Sequence, residues 1–194
     1  MDWVKGDAVE DDLSELLAGA GAVVSCIGVI GGSDASMQAG NGAANVAVVE
    51  QAVAASVGKL VYVSVSKAVE GAVGQMALKG YFAGKKQAED AINAAFPATA
   101  VVIAPTFIYG GTEFSATPPR VAEGYGRFVE GALSLPPTRF LAGLVPGVLS
   151  LALQPPVSVN ALATAAAGAA LGRVKPGRLD GTDAINAAAA AASA

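Results

Sequence analysis

Continuous apolar runs alternate along this chain with stretches of helical period. Residues 3–5 form a short apolar run that ends at Gly6-Asp7, and residues 11–17 read as a short helix with Asp11 and Asp12 in its first turn and Gly19 near its stop. Residues 22–30 (AVVSCIGVI) are an unbroken β-branched run, the pattern of a strand buried on both faces. A loop is expected over 31–40 and a helix over 43–56, with Gly58 beyond its end. Residues 60–65 (LVYVSV) give a second buried strand, 71–80 an irregular stretch, 81–95 a helix, and 100–104 (AVVIA) a third strand stopped by Pro105. After Gly110 the pattern loosens, punctuated by Pro118-Pro119, Pro136-Pro137 and Pro155-Pro156. Ser158 is placed to cap a helix reaching about Ala170, and the Ala-rich residues 185–194 are either a terminal helix or frayed.

Buried strands separated by helices predict parallel βαβ units, hence an α/β, doubly wound, Rossmann-like sheet. Ligands of such sheets bind beyond the carboxyl ends of the strands. That directs attention to Asp7, Cys26-Ile27-Gly28, Ser64-Val65-Ser66 and Pro105-Thr106-Phe107. The expected organisation is a domain over 1–172, with a small substrate or docking lobe at about 111–157, followed by an Ala-rich tail over 173–194.

Composition narrows the chemistry. The chain is 53% hydrophobic and 14% charged with 24 glycines, which is globular rather than disordered composition. A net charge of -4 gives no basic footprint for nucleic acid. With no histidine, Ser-His-Asp and Cys-His catalysis and the usual zinc sites are excluded, and no metal site is expected. The single cysteine, Cys26, cannot form an internal disulfide. The apolar window 140–153 is broken by Gly143, Pro146 and Gly147 and is too short to span a bilayer. The acidic opening residues 1–7 do not read as a signal or transit peptide.

The most informative pair is Tyr81 and Lys85 in Y-F-A-G-K. Side chains at i and i+4 share a helix face, and a nearby ammonium favours the phenolate, which would lower the tyrosine pKa toward the range of a general acid or base. A solvated helix face is the plain alternative. Ser64, at the end of the second strand, adds a hydroxyl able to bond a substrate carbonyl; its alternative is a strand-end serine satisfied by backbone.

Seven blocks in order carry a resemblance: W-V-K-G-D (3–7), A-V-V-S-C-I-G (22–28), N-G-A-A-N-V (41–46), K-L-V-Y-V-S-V (59–65), Y-F-A-G-K-K-Q-A-E (81–89), A-P-T-F-I-Y-G (104–110) and P-P-V-S-V (155–159). Together they resemble the atypical or extended short-chain dehydrogenases/reductases, a group with the NmrA-like proteins and a nucleotide-binding accessory subunit of respiratory complex I. The likeness is strongest to plant and fungal organellar members, some linked to plastid lipid bodies and some to coenzyme Q (ubiquinone) biosynthesis. It implies NAD(P)(H) as cofactor and Ser64, Tyr81 and Lys85 as a catalytic trio. It further implies Asp7 at the adenine amino group, Cys26, Ile27 and Gly28 along the adenosine, Lys85 on a ribose hydroxyl, and Pro105, Thr106 and Phe107 flanking the nicotinamide. Asn41 or Asn45 is a candidate for the proton-relay asparagine of some members, with a locally satisfied helix residue as the alternative reading of Asn45. The implied activity is hydride transfer to a carbonyl or quinone-like substrate with the tyrosine as proton donor. The alternative is a non-catalytic accessory protein of an organellar complex, using residues 140–153 as a docking surface for a membrane or protein partner. A mitochondrial or plastid location follows from the resemblance alone.

The family's Gly-rich phosphate turn is absent. Gly19-Ala20-Gly21 precedes a strand, and Gly28 to Gly32 is expected to run into a loop rather than directly into a helix. Against the family the chain lacks the first β-α-β unit, which suggests N-terminal truncation and weak or absent dinucleotide binding. The strand at 22–30 is then left with a bare apolar edge, and residues 3–5 are a candidate to pair along it. Ala104 stands where relatives carry arginine.

Overall fold

A computed structural model of the chain describes residues 2–73, 78–110, 115–116, 119–120, 123–135 and 151–194. In chain order the first part runs α1 (Ser14–Leu17), β1 (Val23–Ser25), α2 (Asp34–Gln38), a π-turn (Ala39–Ala43), α3 (Ala44–Ala54), β2 (Leu60–Val63), α4 (Lys67–Val73), α5 (Lys79–Ala95) and β3 (Val101–Ala104). The second part runs β4 (Ile108–Tyr109), β5 (Ser115–Ala116), β6 (Pro119–Arg120), α6 (Glu123–Leu133), β7 (Val157–Ser158), α7 (Val159–Ala170), β8 (Gly177–Asp180) and α8 (Gly181–Ser193).

The main sheet has the order β1-β2-β3-β8 and every pairing is parallel. Its central strands are fully buried, as their apolar runs require. Each face is covered. On one, Leu60, Tyr62 and Val102 pack with Val49 and Ala52 of α3 and Ala88 and Ile92 of α5. On the other, Val61, Val101 and Ile103 pack with Leu162 and Ala165 of α7 and Ile185 and Ala189 of α8. Alternate residues of one strand therefore feed opposite cores, which is the doubly wound arrangement expected from the sequence.

Several local expectations change. Residues 3–5 form no strand, so they do not pair with β1. The strand expected over 22–30 is regular only at Val23–Ser25; beyond it the backbone bends, held by side chains rather than by a ladder. The loop expected over 31–40 contains α2, whose start is capped by Ser33 accepting from the Ser36 amide. The irregular stretch expected over 71–80 begins inside α4. At the other end, β8 pairs with β3 from Val101↔Gly177 to Ala104↔Asp180, and α8 packs on α7 so closely that a Cβ on Gly168 would stand 2.3 Å from the Ala192 Cβ. The Ala-rich end is thus a packed terminal helix behind a fourth strand. The window 140–153 lies mostly outside the described residues.

Candidate functional site

The ends of β1 and β2 meet α5 through Lys85. This side chain is buried, and its Nζ donates to the carbonyls of Val63 (3.0 Å) and Ile27 (3.4 Å). It also lies 4.8 Å from the Tyr62 ring centroid and 5.8 Å from that of Tyr81. One ammonium thus joins two strand tips across the sheet's carboxyl edge, at the place where ligands of such sheets bind. Gly28 fits beneath it. A Cβ there would meet Asn41 Oδ1 at 2.9 Å and Lys85 Nζ at 3.2 Å, so glycine is needed for the bend to rest on these two side chains.

The two asparagines bind that bend. Asn41, in the π-turn, donates to the carbonyls of Val29 (2.7 Å) and Met37 (2.8 Å) and accepts from the Val29 amide. Asn45 accepts from Ser25 Oγ (2.6 Å) and donates to the carbonyls of Asn41 and Ile27. Both are completely buried, so these bonds carry their full desolvation value.

The electrostatics of the Tyr81–Lys85 pair differ from the sequence expectation. Burial pushes the Tyr81 phenol up to about 12 instead of down. Burial also lowers the Lys85 amine to about 8, against the opposing pull of Cys26 and Glu89. The reason is geometric: Lys85 spends its hydrogen bonds on backbone carbonyls, and its charge does not offset the desolvation of the phenol. At neutral pH the pair is therefore a protonated phenol beside a mostly protonated amine, suited to giving a proton rather than taking one.

Ser64 is separated from this pair. Its Oγ donates to Glu89, which is eight residues beyond Tyr81, about 12 Å along the axis of α5. Glu89 in turn pairs with Arg178 of β8, whose Nε binds Asp180 (2.9 Å) and whose other amino group donates to the Val65 carbonyl (2.7 Å). Ser66 donates to Asp180 at 2.6 Å. Burial alone would raise the Asp180 pKa, but Ser66, Arg178 and the Lys67 amide hold it below the usual value. Both strand-tip serines are thus committed to a charged network that ties β8 to β2 and α5. Sequence reasoning missed this network because Glu89, Arg178 and Asp180 come from segments far apart in the chain.

The remaining expected contacts divide. Cys26 is exposed and Ile27 half-buried along the β1 bend. The Asp7 carboxylate accepts from the Val9 amide (2.8 Å) within its own turn. At the tip of β3, Pro105 is buried and its carbonyl receives the Ser66 amide, Thr106 Oγ1 donates to the Pro155 carbonyl (2.8 Å), and Phe107 is exposed. The residues present fit the ribose and nicotinamide end of a dinucleotide: Lys85 supplies the donor, Gly28 the close backbone, and Phe107 an open aromatic face. For a pyrophosphate the fit is poor. The only glycine-rich turn from a parallel strand into a helix among the described residues is 28–32, which leads into α2, and its first helical residue is the acidic Asp34. The expectation of a loop after these glycines was wrong, but the charge there still opposes an anion.

The profile of the NAD(P)H-binding family matches residues 1–133. An uncharacterized chloroplastic protein of Arabidopsis thaliana is 32% identical over 173 residues, covering 84% of this chain and 54% of that protein, so the chain spans about half the length of this relative. Among solved structures, MoeE5 in complex with UDP-glucose and NAD is similar with a TM-score of 0.59 at 18% identity, covering 91% of this chain and 61% of its own. The UDP-N-acetylglucosamine 4-epimerase of Methanobrevibacter ruminantium is similar with a TM-score of 0.58 at 19% identity, covering 91% and 59%. At these identities the structural likeness is one of fold. With two thirds of its length matched by the family profile, on a parallel sheet whose strand tips converge on Lys85, the chain belongs to the NAD(P)H-binding family.

Proposed function

We propose that this chain carries the nicotinamide-side half of a short-chain dehydrogenase/reductase-like site, in which hydride passes from NAD(P)H to a carbonyl or quinone-like acceptor and Tyr81 gives the proton. The supporting observation is Lys85, buried at the joined tips of β1 and β2 within reach of both the Tyr81 ring and the Gly28 bend. A phenol held near 12 is a donor at neutral pH, which suits the reductive direction. NAD(P)H binding by this chain is weak, because the described residues offer no pyrophosphate cradle. The organelle is a plastid, on the strength of the chloroplastic relative. The test is Tyr81→Phe in a polypeptide of the relative's full length: turnover falls by about two orders of magnitude or more while NAD(P)H affinity holds. Unchanged turnover removes the mechanism.

A second reading is favoured by one observation, the commitment of Ser64 to Glu89. In it the chain binds the nucleotide without catalysis, as an accessory protein of an organellar complex involved in respiration or quinone biosynthesis. Retention of nucleotide with no turnover on any carbonyl or quinone acceptor supports this reading against the first.

A further inference from the structure

Among the described residues β1 is an open edge of the main sheet. The Val23 amide donates to the Lys59 carbonyl (3.0 Å), and the parallel register runs from Val23↔Leu60 to Ser25↔Tyr62. Successive residues of a strand turn their N–H and C=O groups to opposite sides. Val23 and Ser25 thus face β2, and Val24 and Cys26 direct their backbone groups away from the sheet.

A cavity of about 820 Å³ lies along this edge and is lined by every residue from Val23 to Ile27. Side chains of a strand alternate between faces, so a cavity touched by five consecutive residues runs along the strand's flank, not over one face. Its other wall is the N-terminal segment, where Val4 and Lys5 stand with no ladder to β1. The lining is apolar at Val4, Leu16, Val24 and Val48, and Val24 is 43% exposed. Asp11, Asp12 and Glu15 line it against one lysine, Lys5, leaving a negative rim.

We propose that this cleft receives an extended polypeptide segment, apolar in the middle and flanked by lysine or arginine, which pairs with Val24 and Cys26 as a fifth strand. Only an extended chain supplies donors and acceptors at the spacing those backbone groups need. The carboxylates on the rim select basic flanks and set the direction of approach. They also argue against a second copy of this chain, since edge-to-edge pairing would set two acidic rims against each other. The inference concerns the opposite flank of β1 from Lys85 and stands or falls separately from the reductase reading.

The test uses the whole chain and three synthetic six-residue peptides. One is Lys-Val-Ile-Thr-Val-Arg, one has glutamate at both ends, and one has the basic sequence with alternate amides N-methylated. Binding is followed through Trp3, the chain's single tryptophan, which is 89% exposed beside Val4, and through amide hydrogen exchange at Val24 and Cys26. The basic peptide is expected to slow exchange at those two amides and to bind about tenfold tighter than the acidic one. The methylated peptide is expected to lose binding, and Asp12→Asn with Glu15→Gln to remove the preference between flanks. Equal binding of all three peptides would overturn the proposal. So would protection of Val24 and Cys26 in the peptide-free protein, or protection that appears only as the protein concentration rises.

Discussion

Lys85 decides most of what this site can do, because it is a buried amine with two carbonyls and two aromatic rings around it rather than a carboxylate. Its folded pKa of about 8 lies below the usual 10.5. Between those values the unfolded chain holds more protons, so stability rises as pH is raised from about 8 toward 10. Below 8 the charged, buried form costs its full amount, about 3 kcal/mol. Above 10 the trend reverses, because Tyr81 is raised from 10.0 to about 12 and the unfolded phenol ionises first. Urea unfolding at one-unit intervals from pH 7 to 10 should show the rise, and Lys85→Met should flatten it. Tyr62 gives a second check. Its hydroxyl is buried with no hydrogen-bond partner, and burial followed by the nearby Tyr81 and Glu89 raises its pKa far above the usual range. Tyr62→Phe keeps the ring under Lys85 and removes the orphaned hydroxyl, so the chain should gain about 1 kcal/mol in a denaturant titration; a loss would contradict the assignment. The sequence showed that Tyr81 and Lys85 share a helix face. It did not show the direction of the tyrosine's pKa, which depends on where the lysine's hydrogen bonds go.

At the scale of elements, α5 is the helix on which the site is built, and its start is set by a neighbour. Leu78 before it is left-handed (φ +61°) and gives no side-chain cap; instead Asp34 of α2 accepts from the Gly80 amide at 2.9 Å. A Cβ on Gly80 would stand 1.9 Å from the Asp34 carbonyl oxygen, a backbone atom that cannot turn aside. Gly80→Ala should therefore destabilise by about 1–3 kcal/mol in thermal or urea unfolding. At a free helix position the same change would stabilise by about 1 kcal/mol, so the sign of the result is the test. The strands were legible where β-branched runs are buried on both faces, as in β2 and β3, and so was the α7 start, where Ser158 accepts from the Ala161 amide. Two helices were missed although their caps were visible: Ser33 opens α2, and Ser66 Oγ accepts from the Ala68 amide at the start of α4. β8 carried no such signal. Its residues Gly-Arg-Leu-Asp contain one apolar side chain, and what makes it a strand is pairing to β3 and the ties of Arg178 and Asp180 to Glu89 and Ser66.

For the molecule as a whole, a doubly wound α/β sheet with its carboxyl edge gathered around Lys85 was foreseeable from alternating runs and helices. The separation of Ser64 from Tyr81 was not, because it depends on the Glu89–Arg178 network closing over residues 64–66 from a distant strand. The account's central claim is that nicotinamide and its ribose sit at the tips of β1, β2 and β3 while the pyrophosphate finds little purchase. The direct measurement is an amide and side-chain nuclear-magnetic-resonance titration of this chain with NADPH. The account predicts weak binding, above about 100 μM, in which the resonances of Gly28, Lys85 and Phe107 shift together and Lys85→Met abolishes the effect. A sub-micromolar dissociation constant, or shifts gathered away from those strand tips, would contradict it.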